Sequence, residues 1–166
     1  MAVTLRLVQP EDQSFLYRLY ASTRTNELAA WGWDAAQQKA FLELQFRAQE
    51  AHYGEFPNTE HLLILNDGQP VGRLLLSRMP DHILVVDIAL LAECRGQGVG
   101  ASVLSQVFDE ATARRQVVRG HVAKDNRAQQ LWWRLGFKPT GDTGTHYAVE
   151  WQPPNFNTQE ALDNEP

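Results

Sequence analysis

Glu93-Cys94-Arg95-Gly96-Gln97-Gly98-Val99-Gly100-Ala101-Ser102-Val103-Leu104 is the stretch on which the reading of this chain turns. A run of β character, Ile83 to Leu91, precedes it. A helical pattern follows, with Val99, Val103, Leu104, Val107, Phe108 and Ala111 recurring at i, i+4, i+5, i+8, i+9 and i+12. Three glycines and an arginine therefore stand where a strand hands over to a helix. Glycine lets the backbone approach a ligand closely and adopt conformations that a Cβ forbids. The first amides of a helix have no intrahelical partner, and the helix dipole adds partial positive charge there. The combination suits a phosphate-bearing ligand.

The spacing of the glycines then separates the phosphate-loop classes. A Walker loop needs Lys-Ser/Thr after its last glycine, and Gly100 is followed by Ala101-Ser102. A dinucleotide fingerprint needs G-x-G-x-x-G, whereas Gly96, Gly98 and Gly100 alternate. Arg95-Gly96-Gln97-Gly98-Val99-Gly100 instead resembles the R/Q-x-x-G-x-G/A loop of the GCN5-related N-acetyltransferases (GNAT family), which cradles the pyrophosphate of acetyl-CoA.

Bulk properties fit that class. A chain of 166 residues is long enough to bury its own core, and 43% apolar with 21% charged residues describes an ordinary globular protein. Net charge is -5 with no basic stripe, which argues against nucleic acid as a partner. The single cysteine cannot form an internal disulfide, and no long apolar run signals a leader or membrane span, so a cytoplasmic location is expected. The expected organisation is one domain over residues 1–152 and a polar, fraying tail over 153–166.

Taken in order, Val3 to Val8 reads as a short strand. Pro10-Glu11-Asp12 opens a helix with an apolar face of Phe15, Leu16, Leu19 and Tyr20. The loop Trp31-Gly32-Trp33 follows. Asp34 and Gln37 stand at capping-box spacing and start a second helix. Its expected core stripe is Phe41, Leu44, Ala48 and Ala51, with Gln38, Gln45, Gln49 and His52 on the other side. His61 to Asn66 and Val71 to Arg78 are strands joined by the hairpin signal Asp67-Gly68, with Gly72 a bulge or close-approach point. After the long helix, Gln116 to Val122 is a strand that runs parallel to the one before the glycine loop, because a helix crosses over between them. Lys124-Asp125-Asn126 caps a last helix that ends at Gly136, and Phe137 to Thr140 and His146 to Trp151 form a final strand pair.

The order β-α-α-β-β-β-α-β-α-β-β is that of the acetyltransferase family. A second stretch supports the likeness. Val122 through Phe137, with Asn126, Ala128, Leu131, Trp132, Leu135, Gly136 and Phe137, resembles the family's V-x-x-x-N-x-A-x-x-L-Y-x-x-L-G-F segment. The resemblance implies an α/β (α+β) fold with a mixed central sheet of about seven strands flanked by four helices. It also implies transfer of the acetyl group of acetyl-CoA to a primary amine of a small molecule, amino acid or peptide, without a metal. Dimerisation through the C-terminal strands is common in such folds.

The resemblance assigns the cofactor loop to Arg95, Gly96, Gln97, Gly98, Val99, Gly100 and Ala101. It places the pantetheine arm along the backbone of Ile88, Ala89, Leu90 and Leu91, in a gap between the two parallel strands. The Leu90 N–H is the candidate donor to the thioester oxygen, and Asn126 matches a residue that contacts the arm, or else simply caps its helix. Trp132 stands where the family most often has the tyrosine that protonates the departing thiolate. An indole N–H does not ionise, so Trp132 shapes the pocket instead, and Tyr147 or solvent takes the proton-donor part. Asp87 resembles the family's acidic strand residue and is the first candidate base, with an ion pair to an arginine as the plainer reading. Glu27 and His121 are further candidates for the base, whereas Glu93 and Cys94 are read as outside the chemistry. Glu27, Trp31 and Trp33 are the candidate acceptor-binding residues. A catalytically inactive acyl-CoA-binding module remains the alternative, because the tyrosine is missing.

Overall fold

The structure is a computed structural model that describes residues 1–24, 28, 30–56, 58–126, 128–154 and 156. Its elements are β1 Val3–Leu7, α1 Gln13–Ser22, α2 Ala35–Tyr53, β2 Thr59–Asn66, β3 Gln69–Arg78, β4 His82–Leu90, α3 Val99–Arg114, β5 Val117–Ala123, α4 Gln129–Arg134, β6 Lys138–Asp142 and β7 His146–Trp151. The mixed sheet has strand order β1-β2-β3-β4-β5-β7-β6. The chain divides into two compact units, Met1–Ser77 with Asp87–Gly100, and Arg78–Val86 with Ala101–Pro166. Strand β4 belongs to both, its first half to the second unit and its last half to the first.

In the first unit β2 pairs antiparallel with both β1 and β3, with Val3↔Asn66 at one end of β1 and Leu7↔Leu62 at the other. Asp67 and Gly68 both have positive φ, 51° and 83°, as the two central residues of a tight hairpin of the primed type require. A register shift falls between Ile64 and Leu65, opposite Gly72 and Pro70. The reason for glycine at 72 is the neighbouring strand. A Cβ there would press into the Ala89 carbonyl oxygen and lie 2.7 Å from Leu90 Cδ2. Gly72→Ala should therefore cost about 1–3 kcal/mol of stability, since the obstacle is backbone and cannot swing away. Urea unfolding of the variant measures this, and an unchanged midpoint would contradict the close approach.

Two helices complete that unit. Asp34 caps α2 reciprocally with Gln37, at 2.8 Å and 3.1 Å, as the spacing predicts. Asp12 accepts from the Gln9 N–H at 2.7 Å and receives the Arg6 guanidinium at 2.8 and 3.0 Å, which ties β1 to the turn before α1. Leu16, Leu19 and Tyr20 of α1 are buried as expected. On α2 the buried face is Leu42 and Phe46, not the predicted stripe, and Leu44 is 65% exposed. Two overlapping helical stripes carried apolar residues. The partner decided between them: Phe46 lies 5.8 Å from the rings of both Tyr17 and Tyr20, whereas Phe41 turns to Trp31 and Trp33.

In the second unit the first half of β4 runs parallel to β5, from His82↔Val117 to Val85↔Gly120, and the register ends there although β4 continues to Leu90. Strand β5 pairs antiparallel with β7, and β7 with β6. Helix α3 buries Val103, Leu104, Val107 and Ala111, the stripe read from its period. Phe108 on its flank stacks on Trp151 at 4.1 Å and 10°. Gly136 takes φ 101° just past α4, and its N–H donates to the Trp133 carbonyl, the helix stop that its position predicted. The expected tail begins packed: Pro153 is buried, and its carbonyl accepts from the Phe156 N–H. Residues 155 and 157–166 lie outside the described residues. No helix among the described residues is long and apolar enough to cross a membrane.

Candidate active site

The glycine loop is an open turn. After Leu91 the chain makes a single 3-10 turn, Ala92–Cys94, closed by Cys94 N–H to the Leu91 carbonyl at 2.9 Å. Gly96 and Gly98 then adopt φ 72° and 84°. A side chain at Gly96 would meet nothing within 4 Å, and one at Gly98 only the Met1 Cε at 3.8 Å. These glycines answer a backbone demand rather than crowding. Arg95 to Gly98 are exposed, and Val99 plunges into the core to anchor the start of α3. Arg95 is not loose: its Nε donates to the Leu90 carbonyl at 3.2 Å. Gln97 Nε2 reaches back to the Glu93 carbonyl at 3.0 Å. Amide donors at a positive helix end thus follow directly on β4, an arrangement suited to an anionic group.

The last half of β4 differs from its surroundings. Strand β3 is buried continuously from Val71 to Ser77, whereas every residue from Val86 to Leu90 is only half-buried. Leu91 is buried again, and its N–H donates to the Val71 carbonyl at 2.9 Å.

Beside this segment, within the first unit, is a cavity of about 100 Å³. Leu16, Leu19 and Tyr20 of α1 form its apolar wall. Thr23, Gln49, Arg73 and Asp87 supply the polar groups, and Ala89 closes it next to Leu90. Asp87 and Gln49, both singled out from the sequence, therefore meet in one place. Arg73 and Glu50 were not anticipated. A charged residue in a continuous apolar strand was the available signal for Arg73, but it required knowing that a carboxylate lies across the sheet.

Arg73 organises the charges. Its side chain is 5% exposed. One guanidinium nitrogen pairs with Glu50 and the other donates to Gln49 Oε1 at 3.0 Å. The plane lies over the Tyr53 ring at 5.0 Å. Its Nε faces Asp87 Oδ2 at 3.5 Å, beyond hydrogen-bond reach, and has no hydrogen-bond partner. Asp87 is therefore ion-paired, the plainer of its two readings, and it also lines the cavity. Burial pushes the Asp87 carboxyl above the usual carboxylate range, and the Arg73 charge opposes that only partly. The Tyr53 phenol is pushed up to about 12 by burial and by the Asp87 charge. His61 of β2 is held low by burial, with Glu50 pulling the other way.

The remaining candidates are placed as follows. Trp31 and Trp33 are 49% and 37% exposed and pack edge-on with Phe41, all three centroid distances lying between 5.2 and 5.6 Å. Glu27 lies outside the described residues. In the second unit Trp132 is buried, with its six-membered ring over Gly120 of β5 and 4.6 Å from the Phe137 ring. A Cβ on Gly120 would come within 3.0 Å of that indole. Asn126 is exposed and is not the helix cap that was expected: the N-cap is Ala128, and the Asn126 Oδ1 accepts the Ala128 N–H at 2.9 Å in a turn just before the helix, which leaves its amide nitrogen for other contacts. Tyr147 packs against Trp133 at 6.0 Å and under the Lys124 ammonium at 4.9 Å. His121 is exposed on β5. Among the described residues no group of three or more His, Cys, Asp and Glu is placed to hold a metal ion.

Comparison with known proteins agrees with this architecture. Residues 15–137 match the model of the acetyltransferase (GNAT) family, so the chain belongs to that family. Among solved structures it is similar to the PaiA N-acetyltransferase of Thermoplasma acidophilum in complex with coenzyme A, with a TM-score of 0.67 at 15% identity over 92% of this chain and 99% of that one. An acetyltransferase from Thermus thermophilus gives 0.66 at 18% identity over 92% and 97%. A GNAT acetyltransferase from Elizabethkingia anophelis with acetyl-CoA bound gives 0.50 at 15% identity over 57% and 76%. No curated protein matches the sequence.

Proposed function

We propose that the chain transfers the acetyl group of acetyl-CoA to a primary amine by direct attack of the amine nitrogen on the thioester carbon. The observation that carries this is the continuity of the first unit from an open glycine loop, through the half-buried strand Val86–Leu90, to a cavity bearing a carboxylate. The Arg95–Ala101 amides and the positive end of α3 hold the diphosphate. The backbone of Ile88 to Leu91 lies along the pantetheine arm, and the Leu90 N–H stabilises the oxyanion. Asn126 meets the arm through its amide nitrogen, and Trp132 contributes the packed floor on which β5 rests. The new C–N bond forms as the C–S bond breaks. The amine gives up one proton and the thiolate takes one.

Asp87 receives the amine proton. Its carboxyl is held above the ordinary range, closer to the pH at which a base works efficiently. Asp87→Asn should lower kcat/KM by about 10²–10³-fold while acetyl-CoA binding persists. Activity in the wild type is lost as pH falls through the Asp87 value, because the protonated acid cannot accept a proton. That limb lies above the usual carboxylate range and should be missing from the Asn variant. Arg73, Glu50 and Tyr53 are the charged and titratable groups that face Asp87 and set its position. An unchanged profile in the variant would remove Asp87 from the chemistry. Tyr147 or solvent protonates the thiolate, and wild-type kcat in Tyr147→Phe would leave solvent. The reading as a whole is tested by incubating the protein with acetyl-CoA and an amine panel, following thiol release and the acetylated product by mass spectrometry. Tight acetyl-CoA binding with no release for any acceptor would favour the binding-module alternative, to which the packed Trp132 in place of a tyrosine lends support. The protein is expected in the cytoplasm.

A further inference from the structure

We infer that the acceptor is a primary amine with a short apolar body and no carboxylate, seated with its ammonium on Asp87 and its body against Leu16, Leu19 and Tyr20. This rests on the acetyl-transfer reading of the same site and deepens it.

Three observations carry it. The first is an unequal division of Arg73. Its terminal nitrogens go to Glu50 and Gln49, and its face is covered by Tyr53. Asp87 is left with a 3.5 Å contact to Nε, too long for a hydrogen bond, while lining the cavity with its side chain 28% exposed. Asp87, which otherwise has this ion pair and the Ile88 N–H, therefore keeps acceptor capacity toward the cavity, and an ammonium meets it with short, charge-assisted bonds.

Second, the guanidiniums nearby are largely engaged: of Arg73 only the Nε–H lacks a hydrogen-bond partner, and it faces Asp87. Besides Arg73, Arg24 donates to the Tyr20 hydroxyl at 2.8 Å and lies over that ring. A substrate carboxylate entering the cavity would approach Asp87 and Glu50, and the one Arg73 donor without a partner, Nε–H, lies 3.5 Å from the Asp87 carboxylate with which it would compete. Burying a second anion there without a dedicated cation is costly.

Third, the α1 residues that line the cavity are apolar and tightly packed. Leu16 and Leu19 are each 2% exposed and Tyr20 is 8% exposed. A volume of about 100 Å³ is smaller than the ~150 Å³ engineered cavity that takes benzene, so a branched chain of about four carbons is the expected body.

Isobutylamine and valine share one apolar body and differ by the carboxylate, which makes them the test pair. Each is titrated calorimetrically at neutral pH into the wild-type protein carrying CoA, and into Asp87→Asn, with thermal melts to verify that the variant is folded. The expected result is at least about tenfold tighter binding of isobutylamine than of valine, with that preference lost in Asp87→Asn. Equal or tighter binding of valine, or no binding of isobutylamine, would overturn the inference. Thiol release is measured in parallel with acetyl-CoA. Isobutylamine that binds with the expected preference but releases no thiol would support the seat and count against acetyl transfer. Release with valine or larger acceptors alone would support transfer and overturn the seat.

Discussion

Gly98→Glu should weaken acetyl-CoA binding by about a hundredfold or more, close to 3 kcal/mol. Two effects add. Gly98 sits at φ 84°, where a side chain strains the backbone by about 1–2 kcal/mol. The new carboxylate then stands in the exposed turn beside the amides that would otherwise meet a diphosphate, replacing attraction with repulsion between like charges. Steric crowding is not a third cause, because a Cβ there meets only the Met1 Cε at 3.8 Å. Gly98→Ala isolates the conformational part and should lose about tenfold. Isothermal titration with acetyl-CoA reads both variants. The fold should hold in each, since the turn is exposed and Val99 still anchors α3. Wild-type affinity in Gly98→Glu would mean that the loop does not grip the cofactor.

The second large effect is expected at Arg73. Arg73→Leu strands two carboxylates, Glu50 and Asp87, whose side chains are 23% and 28% exposed. Removing one partner of such a network typically costs about 3–5 kcal/mol, and partial exposure places this case at the lower end. For a chain of this length that lowers Tm by roughly 10 °C. The sign of its pH dependence follows from the carboxylates. In the wild type the native state already holds the Asp87 proton above the unfolded value, so this group's contribution to stability falls as pH rises between the two values. Without Arg73 that window widens, and the penalty should shrink as pH is lowered and Asp87 is protonated. Arg73→Lys keeps the charge but lacks the fork that spans Glu50 and Gln49, and should recover only part of the loss. Melting curves at two pH values decide the matter. A pH-independent loss would point to packing against Tyr53 instead of charge.

Much of the architecture was legible in the chain. The alternation of glycine with α3's apolar period located the loop, the Asp67-Gly68 dipeptide located the hairpin, and Asp34 with Gln37 located the start of α2. Each is a local device whose physics spans four to twelve residues. Where two local patterns competed, the reading failed: Leu44 and Leu42 both suited a core stripe, and only the rings of Tyr17 and Tyr20 chose between them. The purpose of Gly72 was half-legible, as a close approach whose other party, the Ala89 carbonyl, could not be named.

The sequence by itself determined the order of strands and helices and the place of the glycine loop, because turn chemistry and periodicity act between near neighbours, and the resemblance of two of its stretches pointed to the family. Only the tertiary structure decided that Asp87 shares Arg73 with Glu50 and lines a cavity walled by α1. Those residues lie far apart along the chain, and the energy of a buried charge depends on which partners the fold brings within a few ångströms.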